Sequence, residues 1–119
     1  MEKDVLLEKI RKHPDFNRVG MIASHLGVVR GHSRNGRKVT GVEVSYDMGS
    51  LNDIVNYIKG MPGIVEVLVE VSPGLLKVGD EVLYLAVAGD IRENVFPALI
   101  KGVEKIKKDA SKKKEIYGE

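Results

Sequence analysis

A twenty-residue stretch, Gly27 to Tyr46, constrains the fold more than any other part of the sequence. Apolar residues lead into it. At its end Val42, Val44 and Tyr46 alternate with Glu43 and Ser45, the two-residue period of a strand with one buried face. Between these flanks lies Arg34-Asn35-Gly36-Arg37, whose Asn-Gly pair favours left-handed backbone at a reversal. The pattern predicts two strands running into and out of a basic hairpin. Arg30, His32, Arg34, Arg37 and Lys38 fall within nine positions with no acid among them. Such a reversal is either a solvated tip or an anion holder. With like charges and nothing apolar to tie it down, the tip is expected to be mobile.

Around this stretch the periodicities are readable. Asp4 to Lys12 reads as a short helix with Val5, Leu6 and Ile10 on its apolar side, stopped at Pro14 and followed by a loop over Asp15 to Arg18. Gly20 to Val29 reads as a strand, with a bulge expected near Gly27. Ser50 and Asp53 form a capping-box pattern before a helix carrying Leu51, Ile54, Val55 and Ile58, which Gly60 and Pro62 end. Ile64 to Val71 alternates as a strand. Turns are expected at Ser72 to Gly74 and at Lys77 to Asp80, and Glu81 to Ala88, apolar on both faces, reads as a central strand.

A last helix is expected to start between Asp90 and Asn94. Asn94 as cap would put Pro97 in the first turn, whereas a start at Asp90 would make Pro97 kink the helix. Phe96, Leu99, Ile100, Val103 and Ile106 are its expected core stripe, and it runs to Lys108 or on to Lys114. The resulting order predicts an α+β fold with helices packed on a mixed or antiparallel sheet. A single domain over residues 1–119 is expected, with a lysine-rich C-terminal segment over about 107–119.

Composition narrows the chemistry. Without cysteine there is no disulfide, no thiolate nucleophile and no Cys-ligated zinc. His13, His25 and His32 show no metal-ligand spacing, so no metal site is expected; His25 reads as structural and His32 as the histidine with a polar role. A net charge of +2, from 19 Lys+Arg against 17 Asp+Glu, does not suggest a general nucleic-acid binder. No apolar run is long enough for a bilayer, and the first residues lack a signal peptide's pattern, so a cytoplasmic protein with no membrane partner is expected. The sequence shows no phosphate-binding glycine motif and no serine elbow.

The C-terminal lysines remain. Lys101, Lys105, Lys108 and Lys112 fall on the outer face of the expected helix, where solvation is the default. Seven residues take a helix through almost two turns, so Ile100, Lys107 and Lys114 nearly eclipse. Lys107 therefore borders the buried stripe. Its ammonium either snorkels to water or leans into a cleft, and a lysine beside apolar surface and other cations suits proton transfer.

Taken together, these residues resemble a family. Gly20, then Gly27-x-Val29-Arg30, then Gly36, Val39, Val42-Glu43 and Tyr46, are similar to the large, catalytic subunit of molybdopterin synthase, the MoaE family. So are Gly74, Leu76, Val78-Gly79-Asp80 with the apolar strand behind them, and Arg92, Val95-Phe96, Ala98 with Lys107 beyond. The resemblance implies an α/β hammerhead fold and a central homodimer. It also implies a small ubiquitin-fold sulfur carrier of the MoaD type at each end, giving a heterotetramer. The carrier's Gly-Gly tail would bear a thiocarboxylate, whose sulfur passes to cyclic pyranopterin monophosphate to build the molybdopterin dithiolene. The pterin precursor is then a substrate, and no permanently bound cofactor is expected. The implied catalytic residues are Lys107 and Lys114. The family's arginines fall on Arg30 and Arg92, which with His32 would bind the substrate phosphate.

The sequence departs from the family pattern in four places. Val71-Ser72 stands where a His-Arg pair is usual, and Ile91 replaces the histidine before Arg92. Ser111-Lys112-Lys113-Lys114 lacks the usual proline and tryptophan, and the N-terminus lacks the family's first strand. Two alternatives to the sulfurtransferase thus stand. One is a divergent, non-catalytic homologue acting as a dimeric protein-binding module. The other is a small nucleic-acid binder resting on the basic loop and lysine-rich tail, which would lack an aromatic stacking platform, since the chain has no Trp and only two Phe.

Overall fold

The computed structural model describes residues 2–118. The elements run Lys3–Arg11 (α1), a 3-10 turn at Phe16–Arg18, Met21–Val28 (β1), Val39–Tyr46 (β2), Met48–Lys59 (α2), Ile64–Val71 (β3), Gly74–Lys77 (β4), Glu81–Gly89 (β5), Arg92–Lys105 (α3), a π-helical turn at Ile106–Ala110, and Ser111–Tyr117 (β6). The α+β expectation holds. Instead of one sheet there are two, ordered β1-β5-β3 and β4-β2-β6, and every pairing between their strands is antiparallel.

β5 is the centre of the first sheet, and its two apolar faces have two different covers. Leu83, Leu85 and Val87 face Leu51, Ile54 and Ile58 of α2 and Val95 and Ala98 of α3. Tyr84, Ala86 and Ala88 face Leu6 and Ile10 of α1. Lys3 of α1 donates to Glu81 at 2.6 Å, and this bond is the first cause of the lowered Glu81 pKa. Val5, expected inside, is exposed.

The predicted hairpin is corrected. β1 and β2 do not pair; they belong to different sheets. The chain leaves the first sheet at Val29, whose N–H donates to Asp80 O (2.9 Å) and whose carbonyl accepts from Gly79 N (2.8 Å). Between the sheets a single bridge, His32 to Lys38, closes a small turn. Gly36 has φ 86°, as the Asn-Gly pair predicts, but Asn35 stays at negative φ, so this is not a mirror-image hairpin turn. Val29, Val39, Val42 and Val44 build a second, smaller core beside this crossing. The bulge near Gly27 is present, as a register shift between Gly27 and Val28.

α2 starts earlier than its capping-box pattern suggests. Asp47, not Ser50, is the cap: its Oδ1 accepts from Ser50 N at 3.1 Å. Replacing Asp47 with Ala should cost about 1 kcal/mol in denaturant unfolding, whereas Ser50→Ala should change little.

Two expectations for the last helix are also corrected. Its buried stripe is Val95, Ala98 and Gly102, continued by Ile106, while Phe96 and Ile100 are exposed. Small residues let the helix lie close to the sheet: a Cβ at Gly102 would sit 2.9 Å from the Leu85 side chain. The helix starts at Arg92, so Pro97 lies inside it and no side chain caps its first turn. From Ile106 it continues as the π turn, which carries it past Lys108 to Ala110 but not to Lys114. At its end Ser111 N donates to Ile106 O, and the chain then becomes β6, paired along β2. Without β6, one edge of β2 would be left unpaired, which outweighs the helix preference of a lysine run. No helix among the described residues is long and apolar enough to cross a membrane.

Candidate functional site

A cleft of about 820 Å3 lies between the end of β1, the 33–35 loop, β2, the π turn and β6. Its floor is apolar, from Val29, Val42, Val44 and Ile106; its charged rim holds Arg30, Arg34, Lys107, Lys113 and Glu115. Local structure explains each position. Arg30 follows the residue at which β1 leaves its sheet. Lys107 follows Ile106, which is 1% exposed and fixes the start of the π turn in the core. The far end of that turn is held by Asp47 N donating to Ala110 O at 2.8 Å.

β6 sorts its lysines by pairing. Lys113 lies opposite Val44 and Glu115 opposite Val42, so both share the cleft face with those valines. Lys114 lies opposite Glu43 and projects from the other face. The near-eclipse of Lys107 and Lys114 needed a continuous helix, which is absent.

Arg34 reaches the rim because the loop is fastened. Ser33 is buried, its hydroxyl donates to Asn35 Oδ1, and both side chains accept from Arg37 N, at 3.1 and 3.2 Å. The Arg37 guanidinium stacks over the Tyr117 ring at 3.8 Å, a cation–π contact to β6. The expectation of an untethered tip overlooked this aromatic partner.

Arg30 and Lys107, which are far apart in sequence, meet in this cleft. Arg92 does not join them: it is solvent-exposed at the start of α3, with Nε 3.6 Å from Glu93. His32 is exposed beside Lys38, off the cleft lining. Among the described residues no cluster of His, Cys, Asp or Glu could hold a metal ion.

His25 and Lys113 line the cleft although the sequence reading gave them no site role, and Arg34, read there only as one cation of the basic loop, lines it too. For His25 a signal existed. Ala23, His25 and Gly27 alternate onto one face of β1, opposite Val87, Leu85 and Leu83. Burial first, and then the charge of Lys107, lower the His25 pKa below its ordinary value. Burial likewise raises the Tyr46 phenol, whose hydroxyl donates to Val82 O at 3.1 Å.

Four cations around one carboxylate over an apolar floor make a site for an anion that also carries a flat or apolar body. Solved structures with the same fold are molybdopterin proteins. Molybdopterin synthase from Staphylococcus aureus is 24% identical, with a TM-score of 0.73 over 86% of this chain and 77% of that one. A molybdopterin biosynthesis MoaE protein from Burkholderia ambifaria is 20% identical, with a TM-score of 0.75 over 99% and 81%. A complex of subunits 1 and 2 of molybdopterin-converting factor from Helicobacter pylori aligns at 19% identity and a TM-score of 0.70, over 100% and 85%. No curated protein matches the chain. At these identities the structures speak for the fold; the sequence itself is matched by the family model described as MoaE protein over residues 1–109 of 119, and the chain therefore belongs to the MoaE family.

Proposed function

We propose that this chain is the large subunit of a molybdopterin synthase. It would move sulfur from the C-terminal thiocarboxylate of a small ubiquitin-fold partner, of the MoaD type, to cyclic pyranopterin monophosphate, forming the dithiolene. The observation that carries this reading is the cationic cleft with an apolar floor, in a chain of the MoaE family. Its support includes the structures named above as molybdopterin synthase and as a two-subunit molybdopterin-converting factor. An external sulfur donor also suits a sequence without cysteine.

In this reading the pterin's cyclic phosphate sits between Arg30 and Arg34, whose planar forks suit a phosphate. Lys107 gives a proton to the oxygen that leaves as sulfur attacks. A second lysine stabilises charge developing at the acyl carbon. The resemblance assigns that role to Lys114, but Lys113 is the β6 lysine on the cleft side. The role of Arg92 in binding substrate rests on the resemblance, and that of His32 on its place beside Arg30 in the basic stretch. A homodimer with one small partner at each end, at work in the cytoplasm, completes the proposal; exposed Phe96 and Ile100 offer apolar surface for assembly.

The test supplies the thiocarboxylated partner and the pterin precursor to the purified chain and assays the dithiolene. Product is expected, and none when the partner ends in an ordinary carboxylate. A non-catalytic, partner-binding homologue is the second reading, favoured by the exposed Arg92 and by Val71, Ser72, Ile91 and the Ser111 to Lys113 departures. It predicts that the partner binds through its Gly-Gly tail and no product forms.

A further inference from the structure

His25 is the imidazole of the cleft, and like Glu115, Tyr46 and Tyr117 it has no task in the sulfur-transfer reading. Pairing of β1 with β5 puts it on the sheet face covered by α2 and α3, the side from which Lys107 approaches. Gly27 lies two residues along on the same face, next to the ring: a Cβ built there would be in ordinary contact with His25 Nε2, at 3.6 Å. Within the described residues no hydrogen bond or ion pair occupies either ring nitrogen. Histidines of purely structural use generally spend one nitrogen on a fixed partner. This one keeps both for whatever enters the cleft.

The charged groups around it are Lys107 from the π turn, Arg30 from the end of β1, Arg34 from the loop, and Lys113 and Glu115 from β6. The hydroxyl-bearing rings of Tyr46 and Tyr117 also line the cleft. Burial of the ring, and then the Lys107 charge, oppose a proton on it and favour the free base. A cleft whose other nitrogen bases are lysines and arginines has few groups able to accept a proton near neutral pH.

The geometry points to His25 as the general base that hydrolyses the acyl–sulfur intermediate of the reaction, an inference that rests on the sulfur-transfer reading. Once the donor sulfur has bonded to the pterin, the partner's terminal glycine is joined to it as a thioester. A His25 nitrogen takes a proton from a water molecule as the water oxygen bonds to the acyl carbon. The carbon–sulfur bond then breaks, and the electron pair leaves with sulfur as a pterin thiolate beside the Lys107 ammonium. The partner's tail departs as a carboxylic acid; it and the imidazolium each return a proton to solvent. No oxidant or reductant is needed.

The experiment compares wild type with His25→Gln, and with His25→Asn should the first variant fail to fold. The full chain, thiocarboxylated partner and pterin precursor are followed by mass spectrometry in single turnovers across pH. The variant should still form the sulfur–pterin bond but accumulate partner bound to pterin as a thioester, with release slowed about 10²-fold or more. Wild-type release should rise with pH through a midpoint below 6.5, the ordinary histidine value, and then level, and the variant should lose that rise. Imidazole NMR should show the same midpoint, moved upward by Lys107→Met. A folded variant that releases partner at the wild-type rate, with the wild-type pH profile and no thioester, overturns the role of His25 and leaves sulfur transfer standing. A wild type that forms no sulfur–pterin bond overturns both.

Discussion

Lys107→Ala should lower dithiolene turnover by a factor of about 10² or more, the usual loss when a positioned proton-transfer group is removed. The side chain is exposed at the cleft rim and makes no packing contribution that would unfold the chain, so circular dichroism and melting should stay close to wild type. Arg30→Ala should act differently, raising the pterin concentration needed for half-maximal rate through loss of a fork donor to phosphate. Both variants should still capture the small partner. Within β6, Lys113→Ala should reduce turnover more than Lys114→Ala, because Lys113 shares the cleft face with Val44 and Lys114 does not. Full activity in both Lys107→Ala and Arg30→Ala would sink the enzymatic reading. A larger loss at Lys114 than at Lys113 would return the second-lysine role to the residue that the family resemblance names.

The other large effect lies one residue away. Ile106→Ala should cost roughly 2–5 kcal/mol in denaturant unfolding, the range for emptying a fully packed aliphatic site. Ile106 is 1% exposed and packs in the same core as Ile58, Leu85 and Ala110. Against a total stability of about 5–15 kcal/mol for a domain, that is a substantial share. Leu75→Ala is the control: Leu75 is 72% exposed on β4, and its loss should barely register. Activity in Ile106→Ala should fall even where the variant remains folded, because Ile106 also forms part of the cleft floor and anchors the turn that carries Lys107. An unfolding midpoint unchanged by Ile106→Ala would show that the π turn does not depend on this anchor.

Much of the fold was legible because hydrophobic period survives tertiary context. β2, β3, β5, α1 and α2 all appear close to where alternation or helical spacing puts them. The misses have physical causes. β6 was hidden because a run of lysines has no apolar period, and its strand conformation comes from pairing with β2 rather than from its own residues. Of the expected α3 stripe, Leu99, Val103 and Ile106 pack with the core, but Phe96 and Ile100 do not, because large side chains were counted and the closest contact is made by Ala98 and Gly102. The hairpin was misread because a local Asn-Gly turn does not reveal that the strands on either side join different sheets.

The candidate site was half legible for the same reasons. Arg30 and Lys107 could be found because each adjoins a recognisable apolar element, Val29 in one case and Ile106 in the other. Lys113 could not, since its direction depends on an unread strand. Arg34 depends on a loop held by Ser33, Asn35 and the Arg37–Tyr117 stack, none of which spacing discloses. His25 was visible in the β1 alternation, yet a histidine in an apolar run reads as core until the cations facing it are known.

The π turn has a consequence for the lengths this chain can tolerate. A strand distinguishes its two faces only by odd and even count, and the five residues from Ile106 to Ala110 set the parity of everything after them. Deleting one residue there would hand Lys112 and Lys114 to the cleft and turn Lys113, Glu115 and the Tyr117 platform outward, with no substitution in β6. Deleting two would restore the faces and shift the strand along β2 by one repeat. Length variation in this turn is therefore constrained to even steps, and a single-residue slip would rewire the rim as thoroughly as several substitutions.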